Sequence, residues 1–563
     1  MKRTRASRDN AACGAAVLAL LPLLAATTLG CATGGAASAG ETASAPASAA
    51  DAGPADRSDY LVLAPRSYRA ALAPLVAHRE AGGHRVAVRA LEDVYARRSA
   101  GRPSAEAVRD EIAALAAPAD SPLRYVLLVG DPLRGSPPLP SFEPQLDYHA
   151  DERPGTSRSF RSDEPFALPD RPGRRALAVG RIPATSADEL AGVVGKIVGY
   201  ERGTGADAWQ RRVVLFGGPA SFGAFLDGLI EQTAMELLDR KLPYDYDLDL
   251  VFAKPGSPYA YRFDALGDKL VHDLDAGSLL AVYVGHGARD SFDTVGYRGR
   301  AYPIGSARDL ARVDIGDGKP LFVALTCHTG AYGQPDGRRS LAETLALNPG
   351  GPVAVFAASV ESHPYPNYLY AQAFLARFLA EHAASVGEGV VDAKSDMVAG
   401  SLALASLLVD GDLDALKRDH TRMYNLFGDP ATVLRYPRPA EVRVASGGQA
   451  PGAPVGVRVT TPGTGDAELE VTLETERRTL PVGLTSEREL ARLPAERAFE
   501  VMVENHARAL DKVVARARVL LHGGLAEVVL LGPTAPGTYY VKALVRSGGG
   551  SAAGHARFEV AAR

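Results

Sequence analysis

Two residues that could do nucleophilic chemistry each follow a hydrophobic segment of the sequence. His286 lies in the motif YVGHG, directly after LLAVYVG, and Cys327 lies in VALTCHTG, directly after PLFVALT. A cysteine attacks as its thiolate, and a nearby imidazole both favours that form and can protonate a departing amine. The pair therefore predicts a nucleophile, Cys327, with a proton carrier, His286.

The elements that must position this pair are buried parallel strands. Near-continuous apolar runs at 279–285 and 320–326 are typical of strands covered on both faces. The carboxyl ends of such strands line the ligand crevice of an open α/β sheet, and neighbouring strands lie about 5 Å apart. We therefore expect His286 and Cys327 to meet at one edge. The amides of Gly287 and Cys327 are the expected donors to the oxyanion of a tetrahedral intermediate.

The rest of the chain divides by composition. A chain of 563 residues is too long for one core, so several domains are expected. The predicted divisions are a signal peptide (1–30), a small-residue linker (31–57), an α/β subdomain (58–210), a second α/β subdomain with the Cys and His (211–437) and a β domain (438–563). Both α/β parts are expected to be doubly wound with mostly parallel sheets. The Val- and Thr-rich runs of the last part predict an immunoglobulin-like β-sandwich, interrupted by a helix near 495–515.

The amino terminus predicts export. Basic residues precede the apolar stretch 11–26, which has the length of a signal-peptide core, and TTLGC places Cys31 where a bacterial lipoprotein would be cleaved and lipidated. Cleavage without lipidation is the alternative. We expect a cell-envelope protein held to the membrane only by that lipid, or a secreted one. The net charge of -4 is spread along the chain, so no nucleic acid partner is expected.

At these motifs the chain resembles the gingipain family, within the caspase-like clan of cysteine peptidases. The resemblance extends to RYVLLVGD (124–131), RSDEPFALPD with LAVGRIPATSADEL (161–190) and NLFGDPAT (425–432). It implies two caspase-like α/β subdomains and an exported cysteine endopeptidase that acts on protein or peptide substrates. Cys327 and His286 would be its catalytic residues. It also implies that no cofactor is required for the chemistry.

Other residues of the site are less certain from the sequence. Asp163 or Glu164, in the RSDEPF loop, could orient the imidazole of His286. The residue before the nucleophile is usually Ala or Ser in the clan, and here it is Thr326; the residue after it is His328, a second imidazole beside the thiol.

Four alternatives stay open. A zinc ion could lie among four residues, His286, Cys327, His328 and His363, although their spacing matches no known ligand pattern. The resemblance implies that structural calcium could bind acidic loop residues, for which the candidates are Asp147, Asp151, Asp163 and Asp170. The chain could also be a non-catalytic surface adhesion or scaffold protein, or a transpeptidase that uses the same thioester.

Overall fold

The structure is a computed structural model, and it describes a defined part of the chain. The described residues are 57–148, 158–205, 207–219, 235, 237–401, 409, 411–445, 450–463 and 465–561. The predicted signal peptide, Cys31, nearly all of the linker and Asp151 lie outside the described residues.

A large sheet forms the centre of the molecule. Its strands are β1 (Tyr60–Ala64), β2 (Val86–Ala90), β3 (Tyr125–Val129), β4 (Ala178–Ile182), β5 (Arg212–Gly217), β6 (Asp247–Phe252), β7 (Leu280–Val284), β10 (Leu321–Leu325), β11 (Ala354–Ala358) and β12 (Tyr424–Phe427). A separate hairpin consists of β8 (Thr294–Tyr297) and β9 (Arg300–Pro303). Within the described residues the strand order of the sheet is β2-β1-β3-β4-β12-β11-β10-β7-β5-β6.

Most neighbouring strands of this sheet run parallel, and β12 is antiparallel to β11. The two predicted α/β subdomains thus contribute to one continuous sheet. They join where β12 meets β4, through the single residue pair Phe427 and Arg181. The strands β1, β3, β10 and β11 are buried throughout, as their unbroken apolar sequences predict.

Helices cover both faces of the sheet. They are α1 (Arg69–Ala81), α2 (Leu91–Arg98), α3 (Ala105–Ala116), α4 (Ala187–Arg202), α5 (Leu266–Asp275), α6 (Ala307–Leu310), α7 (Leu341–Leu347), α8 (Pro364–Phe374), α9 (Val386–Ala399) and α10 (Leu413–Met423). Side-chain oxygens start many of them by accepting a hydrogen bond from a first-turn amide, as Ser104, Ser186, Ser340 and Ser385 do. None of the helices among the described residues has the length and apolar character needed to cross a bilayer.

The carboxyl-terminal part is a β-sandwich. Its strands are β13 (Arg438–Pro439), β14 (Glu441–Val444), β15 (Val455–Thr460), β16 (Ala467–Thr475), β17 (Val513–Leu521), β18 (Leu525–Leu530), β19 (Gly537–Ser547) and β20 (Gly550–Val560). They form one sheet in the order β13-β20-β19-β16-β17 and another in the order β14-β15-β18. A shared core of alternating apolar residues joins the two sheets. The predicted α/β architecture with a following sandwich is confirmed.

The predicted helix inside the sandwich has a role in joining the two parts. Two helices, α11 (Glu487–Arg492) and α12 (Ala495–Leu510), lie between β16 and β17 in the sequence. Phe499 of α12 packs with Phe263 and Tyr302, so this insertion belongs to the core of the α/β part. The insertion therefore packs the sandwich against the β8–β9 hairpin, which follows His286 in the sequence.

Candidate active site

Two adjacent strands bring His286 and Cys327 to the same edge of the sheet. β7 and β10 are parallel neighbours in the register Leu280 with Leu321 to Val284 with Leu325. His286 and Cys327 each come two residues after the last of these pairs. Because strand neighbours lie about 5 Å apart, the register places the two residues alongside one another. The expected parallel pairing of their strands is confirmed.

Gly287 permits the loop of His286 to lie directly on the turn of Cys327. A Cβ atom at this position would clash with Oγ1 of Thr326, and would lie 3.0 Å from Cγ2 of Thr329 and 3.2 Å from the carbonyl oxygen of Cys327. Any larger residue would have to move backbone as well as side chains. The His-Gly motif is thus a close-approach site next to the nucleophile.

The chain turns sharply after Cys327. His328 has a φ of 58°, in the left-handed region that residues other than glycine seldom adopt. The turn is held by a hydrogen bond of 2.7 Å from the amide of Thr329 to the carbonyl of Cys327, and by one of 3.1 Å from the amide of His328 to Val360. Such conformations persist only where the surroundings enforce them, and they cluster at functional sites.

The thiol of Cys327 rests against Ser362, which follows β11. The amide of Ser362 donates to Sγ at 3.3 Å, and the hydroxyl of Ser362 lies 3.8 Å from Sγ. That hydroxyl in turn accepts from Nδ2 of Asn367 at 2.9 Å, and Oδ1 of Asn367 accepts from Tyr424 at 2.7 Å. Because its oxygen is occupied by Asn367, the hydroxyl of Ser362 can turn its proton toward sulfur.

Burial sets the resting state of the thiol. It raises the pKa of Cys327 above the ordinary value, and the two hydrogen bonds from Ser362 offset part of that effect. The nearby carboxylate of Glu361 raises this pKa further. The resting side chain of Cys327 is therefore a thiol rather than a thiolate at neutral pH. Burial also lowers the pKa of His328, which keeps that imidazole neutral at pH 7.

Tyr283, stacked on Phe292, supports the loop that carries His286. Tyr283 donates from its hydroxyl to the carbonyl of His286 at 3.2 Å and accepts from the amide of Asp293 at 3.4 Å. Its ring stacks on Phe292 with centroids 3.8 Å apart. His286 itself is exposed, and Cys327 is half-buried. The backbone of His286 is thus held by Tyr283, and its side chain is accessible to solvent.

The predicted oxyanion donors are the amides of Gly287 and Cys327. The amide of Cys327 hydrogen-bonds to the thiol of its own residue, which lowers the pKa of that thiol. The assignment of the Gly287 and Cys327 amides as oxyanion donors stays a prediction.

The expectation that Asp163 or Glu164 orients His286 needs correction. Asp163 is buried and binds the guanidinium of Arg181 with both oxygens, at 2.7 Å each. Glu164 pairs with Lys394. Both carboxylates are committed to cations of the fold, because a buried charge needs a partner of its own. The structure thus assigns them a structural role.

The structure also bears on the two metal alternatives, zinc and calcium. Across the described residues, no group of three or more His, Cys, Asp or Glu side chains is placed to hold a metal ion. The described residues therefore give no support to a zinc site formed by His286, Cys327, His328 and His363. His363 instead accepts the amide of Tyr365 at 3.1 Å as the N-cap of α8. Calcium binding stays a prediction.

Ser362 and Glu361 are the site residues that the sequence reasoning missed. A signal for them exists in the sequence, since PVAVFAAS reads as a buried strand and VESH follows it. The carboxyl end of β11 lies at the same edge as that of β10, because the two strands are parallel neighbours. Applying the strand-end argument to this third strand would have found both residues.

The fold and site together define a class of protein: an α/β protein with a cysteine and a histidine at the carboxyl ends of neighbouring parallel strands. The model of peptidase family C25 matches residues 54–435, most of the α/β part. The chain belongs to peptidase family C25 and is a cysteine peptidase of the gingipain family. No curated protein sequence matches the chain.

Two solved structures are similar to the chain. The crystal structure of the Arg-specific cysteine proteinase gingipain R is similar to this chain with a TM-score of 0.51 at 16% identity, over 90% of this chain and 99% of that one. A complex of the pro- and mature domains of RgpB from Porphyromonas gingivalis matches with a TM-score of 0.48 at 15% identity, over 89% and 100%. The first of these supports the caspase-like fold, and no more, at this identity.

Proposed function

We propose that this protein is an exported cysteine endopeptidase that cleaves peptide bonds through Cys327 and His286. The observation that carries the proposal is the contact of Gly287 with the turn of Cys327, which fixes the His loop against the nucleophile. The register of β7 and β10 supports it, because both residues stand at the same offset past paired strand ends.

The resting thiol determines the order of proton transfers. Since burial raises the pKa of Cys327, His286 takes the proton of the thiol as Sγ attacks the carbonyl carbon of the scissile bond. The amides of Gly287 and Cys327 donate to the resulting oxyanion. The C–N bond then breaks, and His286 returns its proton to the departing amine.

The remaining acyl group is a thioester on Cys327. Water attacks it with His286 as general base, which releases the carboxylate product and restores the thiol. An amine could replace water in this step, so transpeptidation uses the same groups.

Export and anchoring form part of the proposal. The apolar stretch 11–26 and Cys31 favour a cell-envelope location with a lipid anchor, and secretion after plain cleavage is the alternative. Both lie outside the described residues, so they rest on the sequence.

A labelling and cleavage experiment tests the dyad. We would treat the full chain with an iodoacetamide-type or acyloxymethyl ketone probe, and screen a peptide library for cleavage, beside Cys327→Ala and His286→Ala. His272→Ala, an exposed histidine of α5, is the matched control. We expect both dyad variants to lose cleavage, by a factor on the order of 10³ or more, and the control to keep it.

Two outcomes of the screen would count against the proposal. Cleavage that persists in Cys327→Ala would exclude this thiol as nucleophile. A folded, unlabelled Cys327 without any cleavage, under reducing conditions with calcium present, would favour the alternative of a non-catalytic adhesion or scaffold protein.

A further inference from the structure

A basic cavity lies on the side of the sheet away from the active site. It has a volume of about 380 Å³, and its lining includes Arg124, Arg171, Arg174, Arg175 and Glu388. These residues come from the segments that lead into β3 and β4 and from the first turn of α9. We name it the arginine cavity.

The arginine cavity lies where strands of the central sheet begin, at the opposite edge from Cys327, which follows a strand end. β3 runs from its cavity end at Tyr125 to Val129, and the segment after it reaches the catalytic side, where Arg134 donates to Gly337 in the stretch after Cys327 at 3.0 Å. A strand of this length spans about 16 Å. A ligand in the cavity would therefore leave the substrate path open.

The guanidinium of Arg171 is the least satisfied group of the cavity. Its Nη2 donates to the carbonyl of Arg175 at 2.9 Å, whereas Nε and Nη1 are shielded from water and have no hydrogen-bond partner. Burial and the neighbouring charge of Arg174 lower the pKa of Arg171. Leaving a buried donor unmet costs about 1 to 3 kcal/mol, so an acceptor that Arg171 could reach would be stabilising.

The other arginines of the cavity also form hydrogen bonds or ion pairs, but the partners of Arg174 are carbonyl oxygens and not carboxylates. Arg174 donates to three carbonyl oxygens, those of Ala116 at 3.0 Å, Pro118 at 2.8 Å and Ser121 at 2.8 Å. Among the described residues, neither Arg171 nor Arg174 lies within ion-pair distance of a carboxylate. Carbonyl oxygens hold a guanidinium in place without cancelling its charge.

The carboxylates near the cavity cancel half of its charge. Glu388 pairs with Arg124 and lies 3.6 Å from Arg175, and Asp392 pairs with Arg175 at 2.6 Å. Within ion-pair distance, four guanidinium groups stand against these two carboxylates, an excess of two positive charges; Asp59 adds a weaker negative influence on Arg124. That excess matches a phosphate monoester, which carries a charge of about -1.5 to -2 at pH 7.

We propose that the arginine cavity is a binding site for a phosphomonoester or inorganic phosphate. Arginine donors suit this ligand because a planar guanidinium presents several N–H groups to phosphate oxygens at once. A single carboxylate would neutralise only half of the excess charge. In the bound state the guanidinium of Arg171 turns its free nitrogens toward a phosphate oxygen.

The chain enters the fold beside this cavity, which bears on the source of the phosphate. The carbonyl of Asp59, just before β1, accepts from the amides of Arg124 at 2.9 Å and Tyr125 at 3.0 Å. If Cys31 carries a lipid, as proposed above, its tether reaches the fold at this side. The phosphate could then belong to a lipid headgroup or to a soluble molecule, and the chemistry of the site is the same for both.

The test measures binding of inorganic phosphate to the full chain at low ionic strength by titration calorimetry, with chloride as the control anion. We expect saturable phosphate binding that weakens at least 10-fold in Arg171→Gln and is unchanged in Arg312→Gln, an exposed arginine of the catalytic half. Arg124→Gln serves as a second variant if Arg171→Gln does not fold. Probe labelling of Cys327 on the same samples keeps failure of this site distinct from failure of the proposed peptidase.

A vesicle experiment assigns the source. The chain with Cys31→Ala, which cannot be lipidated, is sedimented with phosphatidylcholine vesicles that contain or lack phosphatidic acid, a lipid phosphomonoester. Retention that needs phosphatidic acid and is lost in Arg171→Gln supports a headgroup ligand; phosphate binding without retention supports a soluble one. Absence of saturable phosphate binding, or equal binding by Arg171→Gln and its parent, would overturn the proposal.

Discussion

The two halves of the central sheet, which come from the two predicted α/β subdomains, differ in the burial and pairing of the polar residues near their strand ends. In the first half, Asp163 and Arg181 are buried and bind one another, and Asp131 accepts from the amides of Leu133 at 2.9 Å and Arg134 at 2.7 Å. In the second half, His286 is exposed and Cys327 half-buried. The first half neutralises its polar groups internally, whereas the second leaves its reactive groups accessible.

The difference shows how one architecture can serve two purposes. Buried charges need partners, and the Asp163 and Arg181 pair sits where the halves of the sheet meet, since Arg181 also pairs with Phe427 of β12. A reactive thiol needs the opposite, which is partial access and hydrogen bonds that do not saturate it. The comparison therefore assigns stability to the first half and chemistry to the second.

The largest effect is expected from breaking the buried ion pair between Asp163 and Arg181 in the first half. Asp163→Ala leaves Arg181 buried without its carboxylate, which we expect to lower the free energy of unfolding by about 3 to 5 kcal/mol. Denaturant unfolding measures it. Glu527→Ala, which breaks the exposed pair with Arg458, is the control and should cost less than about 1 kcal/mol. An Asp163→Ala protein of unchanged stability that no longer cleaves peptides would instead place Asp163 in the catalytic machinery.

The next effect concerns the close approach in the second half. Gly287→Ala puts a Cβ atom against Thr326 and Thr329, so the His loop must move away from the nucleophile. We expect kcat/KM to fall by a factor of about 10² to 10³, the loss seen when one oxyanion donor is removed. Gly296→Ala, in β8 with open space around it, should retain activity. Equal activity of the two variants would mean that the contact is not needed.

The pH dependence of alkylation tests the resting state of the thiol. Because burial raises the pKa of Cys327, the folded protein holds the proton to higher pH, and thiolate forms only as pH rises through that raised value. In a variant without Cys13 and Cys31, we expect the iodoacetamide rate to reach half of its maximum above pH 8.5, which is about the midpoint for an unfolded thiol. The urea-unfolded chain is the comparison. A plateau below pH 7 would indicate a resting thiolate paired with His286.

The sequence predicted much of this comparison and missed the rest for identifiable reasons. The buried strands and the parallel direction of β7 and β10 follow from apolar runs that need no knowledge of distant contacts, whereas their register was not predicted. The role of Asp163 could not be read in advance, because a carboxylate in a loop carries no sign of the buried Arg181 that will neutralise it. Its partner is set by tertiary packing, and only the folded chain brings the two together.

The connection between the two parts of the central sheet also could not be predicted, because it too depends on tertiary packing. Each α/β part of the sequence has its own strands, and the single pair between Phe427 and Arg181 that connects them leaves no local pattern. A single helix was predicted at 495–515; α12 ends at Leu510, β17 begins at Val513, and α11 was not predicted. The packing of Phe499 on Phe263 depends on a contact far along the chain. Ser362 was missed although its strand was correctly predicted, so its contribution needs direct measurement.

The smallest expected effect removes the hydroxyl that faces the sulfur. In Ser362→Ala the amide still donates to Sγ at 3.3 Å; the longer hydroxyl contact with Sγ is lost, and so is the hydrogen bond that the hydroxyl accepts from Asn367. A hydrogen bond of this kind is worth about 0.5 to 1.5 kcal/mol, so the pKa of Cys327 should rise further and alkylation at pH 7 should slow a few-fold. The rate above the thiol pKa should stay the same, since the thiolate itself is unhindered. Ser362→Thr keeps a hydroxyl and should restore the rate at pH 7, whereas a loss of rate at every pH would point to altered access to the thiol instead of a change in its proton affinity.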